Sequence, residues 1–168
     1  MNRSTSIEGF TLIETLVYLA LYTIIVFGAS AGVYSIFDSN ARNQTAAMVQ
    51  EEGTYVISKI DWTLAHSVRV GAPPLGGAGA ELILENAAGD VGVLSLFGAG
   101  VYLQRGAKHK ERLNNTNTTI TDLSFVHTRS SEQGLYPESV TASFSLSATT
   151  AEGVVLSRSF STLKYLRK

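Results

Sequence analysis

The chain has 168 residues and no cysteine. That absence excludes disulfides, thiolate metal sites and thiol catalysis. An extracytoplasmic address stays open, because oxidising compartments permit disulfides without requiring them. Net charge is scarce as well. Thirteen Lys and Arg face 14 Asp and Glu, for a formal net charge of -1. Whole-chain electrostatics therefore makes no case for nucleic acid or for an acidic membrane surface. The three histidines, His66, His109 and His127, are scattered, with no carboxylate spacing that would build a metal site or a triad. Gly98-Ala99-Gly100 lacks the lysine and following helix of a phosphate-binding loop. No catalytic residue, metal ligand or cofactor site is assigned, and the expectation is a protein that is not an enzyme.

One long stretch lacks charge altogether. From Thr15 to Phe37 there is no Asp, Glu, Lys or Arg, and no proline that would kink a helix. At ~1.5 Å of rise per residue the run spans roughly 30–35 Å, enough for a bilayer core. It exceeds the ~7–15 apolar residues of an ordinary secretory signal. Taken alone it reads as an uncleaved, single-pass signal anchor. Arg3 is the only basic residue before it, Glu8 offsets that charge, and Asp38 and Arg42 follow. The positive-inside rule thus favours a cytoplasmic N-terminus only slightly. At the front of the run stands Glu14, a carboxylate where burial in lipid costs a few kcal/mol, and less near an interface.

Gly9-Phe10-Thr11-Leu12-Ile13-Glu14, behind a short polar leader and ahead of the apolar run, resembles the processing motif of type IV pilins and the pseudopilins of type II secretion and DNA-uptake machines. The resemblance covers roughly Met1 to Phe37, and Glu8 stands where family leaders commonly carry Lys or Arg. It implies that a membrane peptidase cuts after Gly9 and methylates the amine of Phe10. It also makes Glu14 the signature acid, paired in a fibre with the terminal amine of a neighbouring subunit. The physics agrees. A cation at a helix N-terminus opposes the macrodipole, and a carboxylate one turn on offsets it. An unpaired buried charge is costly, so such pairing would set register between subunits. Gly9 offers the peptidase an open backbone. Gly28 and Gly32 present a small-residue face that suits close helix packing, although small residues are also simply common in membrane helices.

Beyond the span, Val49, Val56, Ile60, Leu64 and Val68 form one row, with Gln50, Glu51, Glu52, Lys59 and Asp61 on other faces. This is an amphipathic helix with a packing stripe. Gly53 costs about 1 kcal/mol against alanine and reads as a bend or thin spot. The segment Ile57–Ala65 resembles the post-membrane helix of J-type minor pseudopilins, and Trp62 within it reads as a half-buried packing residue. The loop Gly71–Ala80, with two prolines and several glycines, ends the helix.

Strand signals follow at Glu81–Glu85, Val91–Phe97, Val101–Arg105 and Ile120–Arg129. In Val140–Ala148, apolar residues alternate strictly with Thr and Ser, the period of a half-buried antiparallel strand, and Val154–Leu163 follows as its partner. The expected fold is α+β and pilin-like, with a long N-terminal helix packed on an antiparallel sheet. Its segments are a leader at 1–9, a transmembrane and assembly half-helix at 10–37, an amphipathic half-helix at 38–70 and a β-rich head at 71–168.

Smaller features have plainer readings. Asn114–Thr119 reads as an exposed loop. The sequons at Asn43, Asn114 and Asn117 are triplets frequent by chance in such sequence. His127 reads as a packed or edge histidine. Arg105–Arg112, the densest basic cluster, reads as a solvated loop. Contact with DNA, glycan or a sister subunit is the other reading, and only Tyr102 lies near enough to stack on bases. The resemblance implies a minor pilin or pseudopilin subunit, inserted in the cytoplasmic membrane and then built into an extracytoplasmic pilus or pseudopilus. Its partners would be other pilins, the prepilin peptidase, and an assembly platform with its ATPase. Nothing in the sequence supports DNA as a partner. The alternative is a signal-anchored extracytoplasmic binding domain, for DNA or glycan, that never assembles.

Overall fold

Thr11 opens the first element by accepting a hydrogen bond on its hydroxyl from the N–H of Glu14, at 3.3 Å. This is N-capping, and Thr11 and Glu14 stand at capping-box spacing. From there α1 runs over Leu12–Ala65. The computed structural model describes residues 11–129 and 137–166. The chain divides into two compact units, Met1–Ala41 and Arg42–Lys168.

In the first unit the helix carries no charge from Thr15 to Phe37, and none of its most hydropathic window is buried. Its hydroxyls turn inward on the backbone. Thr15 donates to the Thr11 carbonyl at 3.2 Å, Thr23 to Ala20 at 2.8 Å and Ser30 to Val26 at 2.8 Å. A hydroxyl satisfied this way needs no water, which lets it sit in an apolar surrounding.

In the second unit the remainder of α1 buries Val49, Gly53, Val56, Ile60, Thr63 and Leu64, a single stripe at spacings of four and three that ends on the adjacent pair Thr63 and Leu64. The stripe packs on two antiparallel sheets. The strands in chain order are β1 (Ser67–Ala72), β2 (Ala78–Gly79), β3 (Glu81–Asn86), β4 (Val91–Phe97), β5 (Gly100–Arg105), β6 (Glu111–Arg112), β7 (Thr118–Thr128), β8 (Ser139–Thr149) and β9 (Val155–Tyr165). One sheet has the order β1-β3-β4-β5-β6 and the other β2-β7-β8-β9. This is an α+β fold with a long N-terminal helix, as the sequence predicts, with the strands split between two sheets rather than gathered in one.

The period of two decides which faces turn inward. Along β8, Val140, Ala142, Phe144, Leu146 and Ala148 are all buried. In β7 the inward residues Ile120 and Leu123 are three apart, which strict alternation forbids. A register shift between Thr121 and Ser124, with Asp122 at φ 56°, restores the phase. This is a β-bulge, which supplies one extra residue so that both side chains reach the core.

Two expectations are corrected here. The helix ends at Ala65 rather than near Val70, and Ser67–Ala72 is a strand. Val68, expected in the helical stripe, is instead an exposed residue of β1. Ser67 Oγ donates to the Leu64 carbonyl at 2.7 Å just past the last turn, and the pairing of β1 with β3 takes the chain out of the helix. Asn114, read as exposed loop, is buried. Its Oδ1 accepts from the Val101 N–H at 3.0 Å, and its Nδ2 donates to the carbonyls of Ala99 at 3.2 Å and Thr118 at 3.0 Å. It staples the loop to β5.

Polar bonds fix where the helix lies on the sheets. Glu52 accepts from the Thr118 hydroxyl at 2.6 Å and from the Asn115 N–H at 3.2 Å. Asp61 accepts from the Thr162 hydroxyl at 2.8 Å, and Arg158 donates to Gln50. His127 is buried between the Pro73 carbonyl, 3.0 Å from Nδ1, and Glu138, 2.5 Å from Nε2. It is a packed histidine with both ring nitrogens engaged.

Candidate functional site

The residues singled out by the sequence belong to the apolar segment. Gly9 and Phe10, the processing pair, lie outside the described residues. Glu14 is in the first turn of α1, where the positive end of the macrodipole favours an anion. No salt bridge among the described residues involves it. A carboxylate in this place has two things to offer: it stabilises its own helix start, and it is available to a cation from outside the chain.

Around and beyond Glu14 the helix exposes large apolar side chains on every face, among them Leu12, Ile13, Leu16, Leu19, Ile24, Phe27 and Phe37, with Phe27 at 80%. A helix hydrophobic all round requires an apolar environment, either lipid or other helices. A Cβ added at Gly28 or at Gly32 would meet nothing within 4 Å, so both glycines are open on the helix surface. They leave a shallow place where another backbone can come close.

The head holds a second arrangement. A groove of about 500 Å³ is bounded by the end of α1, the β3–β4 turn and the loop after β5. Trp62 and His66 of α1 have ring centroids 4.4 Å apart, and the Arg105 guanidinium lies 4.5 Å from the centroid of Trp62. His66 Nδ1 is 2.7 Å from the Trp62 carbonyl, so that nitrogen is the donor and Nε2 is left as the acceptor in the neutral ring. Across the groove stands Asp90, which accepts from Asn86 Nδ2 at 3.3 Å. Lys108 closes the rim. Arg105 was expected in a solvated loop and Trp62 in a packing role. The structure joins them in one cation–π contact, a pairing across distant parts of the chain that carries no local sequence signal.

The described residues hold no group of three or more His, Cys, Asp or Glu that could bind a metal. The described residues thus present an apolar helix with one acid at its start and, in the head, a groove lined by Arg105, Lys108 and Asp90. No family model, no curated protein and no solved structure matches the chain.

Proposed function

We propose that this chain is a pilin-like structural subunit of the minor class, of a type IV pilus, a type II secretion pseudopilus or a DNA-uptake pilus. It is inserted in the cytoplasmic membrane, cut between Gly9 and Phe10 and methylated at Phe10. It then assembles through α1, with other pilins, the prepilin peptidase and an assembly platform with its ATPase as partners. The observation that carries this reading is the first part of α1: an unburied helix with large apolar side chains on all faces and a carboxylate, Glu14, in its first turn that makes no salt bridge among the described residues. A plain membrane anchor needs the apolar surface but has no use for the acid, which costs insertion energy. An assembling subunit needs both. The apolar surface exchanges lipid for neighbouring helices, and the acid takes up the terminal amine of a neighbour and sets the register.

Expression in a host with a working prepilin peptidase, followed by mass spectrometry of the N-terminus, tests this. The expected mature chain begins at methylated Phe10, and substitution of Gly9 blocks the cut. Glu14→Ala should insert in the membrane at wild-type levels and be lost from fibres. A chain that keeps Met1 in that host, or normal incorporation of Glu14→Ala, overturns the reading and leaves an anchored head.

A further inference from the structure

The groove at the end of α1 is a built site that assembly through the apolar helix does not use. Its base is a stack in which Trp62 is flanked by Arg105 and by His66. A guanidinium held on an indole face loses conformational freedom but keeps its N–H edges directed outward. No salt bridge among the described residues involves Arg105 or Lys108. Of its apolar lining residues, Val91 is exposed, while Leu84 belongs to the core beneath. A second hollow of about 340 Å³ shares Trp62 and Arg105 and continues along α1 past Lys59 and Tyr55. Tyr55, Lys59, Trp62 and His66 are spaced four, three and four apart, so they share one face of the helix. The two hollows adjoin at Trp62 and Arg105 and together make one track.

Three features select the occupant. Two cations with no salt bridge among the described residues call for an anion. Asp90, inside the same groove, repels a continuous polyanion such as a nucleic-acid backbone or a polyuronate, while it accepts from an N–H donor. Trp62 already meets Arg105 and His66, which leaves less of its ring as a bare aromatic platform on which bases or sugar rings stack. A ligand with one carboxylate, amide N–H donors and apolar neighbours meets all three conditions. We propose that this track binds an extended acidic peptide segment of another protein. One carboxylate seats on Arg105 and Lys108, an N–H donates to Asp90, and a flanking apolar side chain lies on Val91. The proposal concerns the head alone and stands whether or not the chain is processed at Gly9.

Trp62 is the only tryptophan, so emission excited selectively at tryptophan reports on this site and no other. The full chain in detergent micelles is titrated with the blocked peptide acetyl-Val-Glu-Leu-amide and with its Gln analogue. The expected result is a saturating change in Trp62 emission, with the Glu peptide binding about tenfold more tightly, the weight of one charge-assisted hydrogen-bonded pair. Arg105→Gln should remove that preference and Lys108→Gln should weaken it, both with unchanged far-UV circular dichroism. Equal binding of the two peptides overturns the proposal, as does wild-type preference in folded Lys108→Gln and Arg105→Gln. An Arg105-dependent response to a uronic-acid oligosaccharide or a single-stranded oligonucleotide, with none to the peptide, overturns it in favour of that ligand.

Discussion

Gly53 is the residue where helix propensity and packing disagree. In a helix interior glycine costs about 1 kcal/mol against alanine, so replacement should help. In the folded head, however, the Phe160 ring occupies the space a Cβ would take, and that ring stacks on Phe144 with centroids 5.5 Å apart. Forcing a methyl group there must turn Phe160 off its partner, and overpacking of this kind costs about 1–3 kcal/mol. Packing is therefore expected to win: Gly53→Ala should lower stability, by about 1 kcal/mol net, in denaturant unfolding of the head. Combined with Phe160→Leu, the penalty of Gly53→Ala should shrink, a non-additivity that contact predicts. A stabilised Gly53→Ala would mean that Phe160 moves freely. At the same scale, Asn114 carries hydrogen bonds that a polar run of Asn and Thr gives no reason to expect. Its partners Ala99 and Val101 lie 15 and 13 residues away.

At the scale of elements, α1 is one helix with two kinds of surface. Up to Phe37 it exposes large apolar side chains on every face, and from Val49 it is apolar on one stripe. The first kind commits it to lipid or to other helices, and the second commits it to the sheets. Ile25 lies well inside the uncharged run and is exposed. Ile25→Lys places a charge that costs about 2.5–3.5 kcal/mol at a membrane-helix centre. It should shift the protein from the carbonate-resistant membrane fraction to the extractable one. The head itself should be unaffected, since no residue of that stretch contributes to the core. Unchanged resistance to carbonate would argue against the span.

For the whole molecule, the core is the decisive fact. Among the described residues, the buried apolar side chains come from Val49 onward, and they interlock the stripe of α1 with both sheets. The unit Arg42–Lys168 therefore holds a complete set of buried partners, enough for a chain of this size to fold cooperatively. A protein starting at Arg42 is expected to be soluble, to unfold in one transition, and to keep mixed helical and β circular dichroism. A molten, aggregating product would show that the preceding segment is needed for folding.

The sequence by itself determined what short-range periodicity encodes. The uncharged run set the membrane-length helix, the spacings of Val56, Ile60 and Leu64 set its packing stripe, and the alternation in Val140–Ala148 set which face of β8 turns inward. Each depends on the geometry of a single element. The end of α1 at Ala65, the division of strands between two sheets, the buried role of Asn114 and the meeting of Trp62 with Arg105 were decided only in the tertiary structure. They depend on register between elements far apart in the chain. That register is set by contacts such as Glu52 with Thr118 and Asp61 with Thr162, whose partners are 66 and 101 residues apart. Local propensity cannot encode such distances, because the free energy that fixes them exists only once the sheets have formed and the helix has been laid upon them.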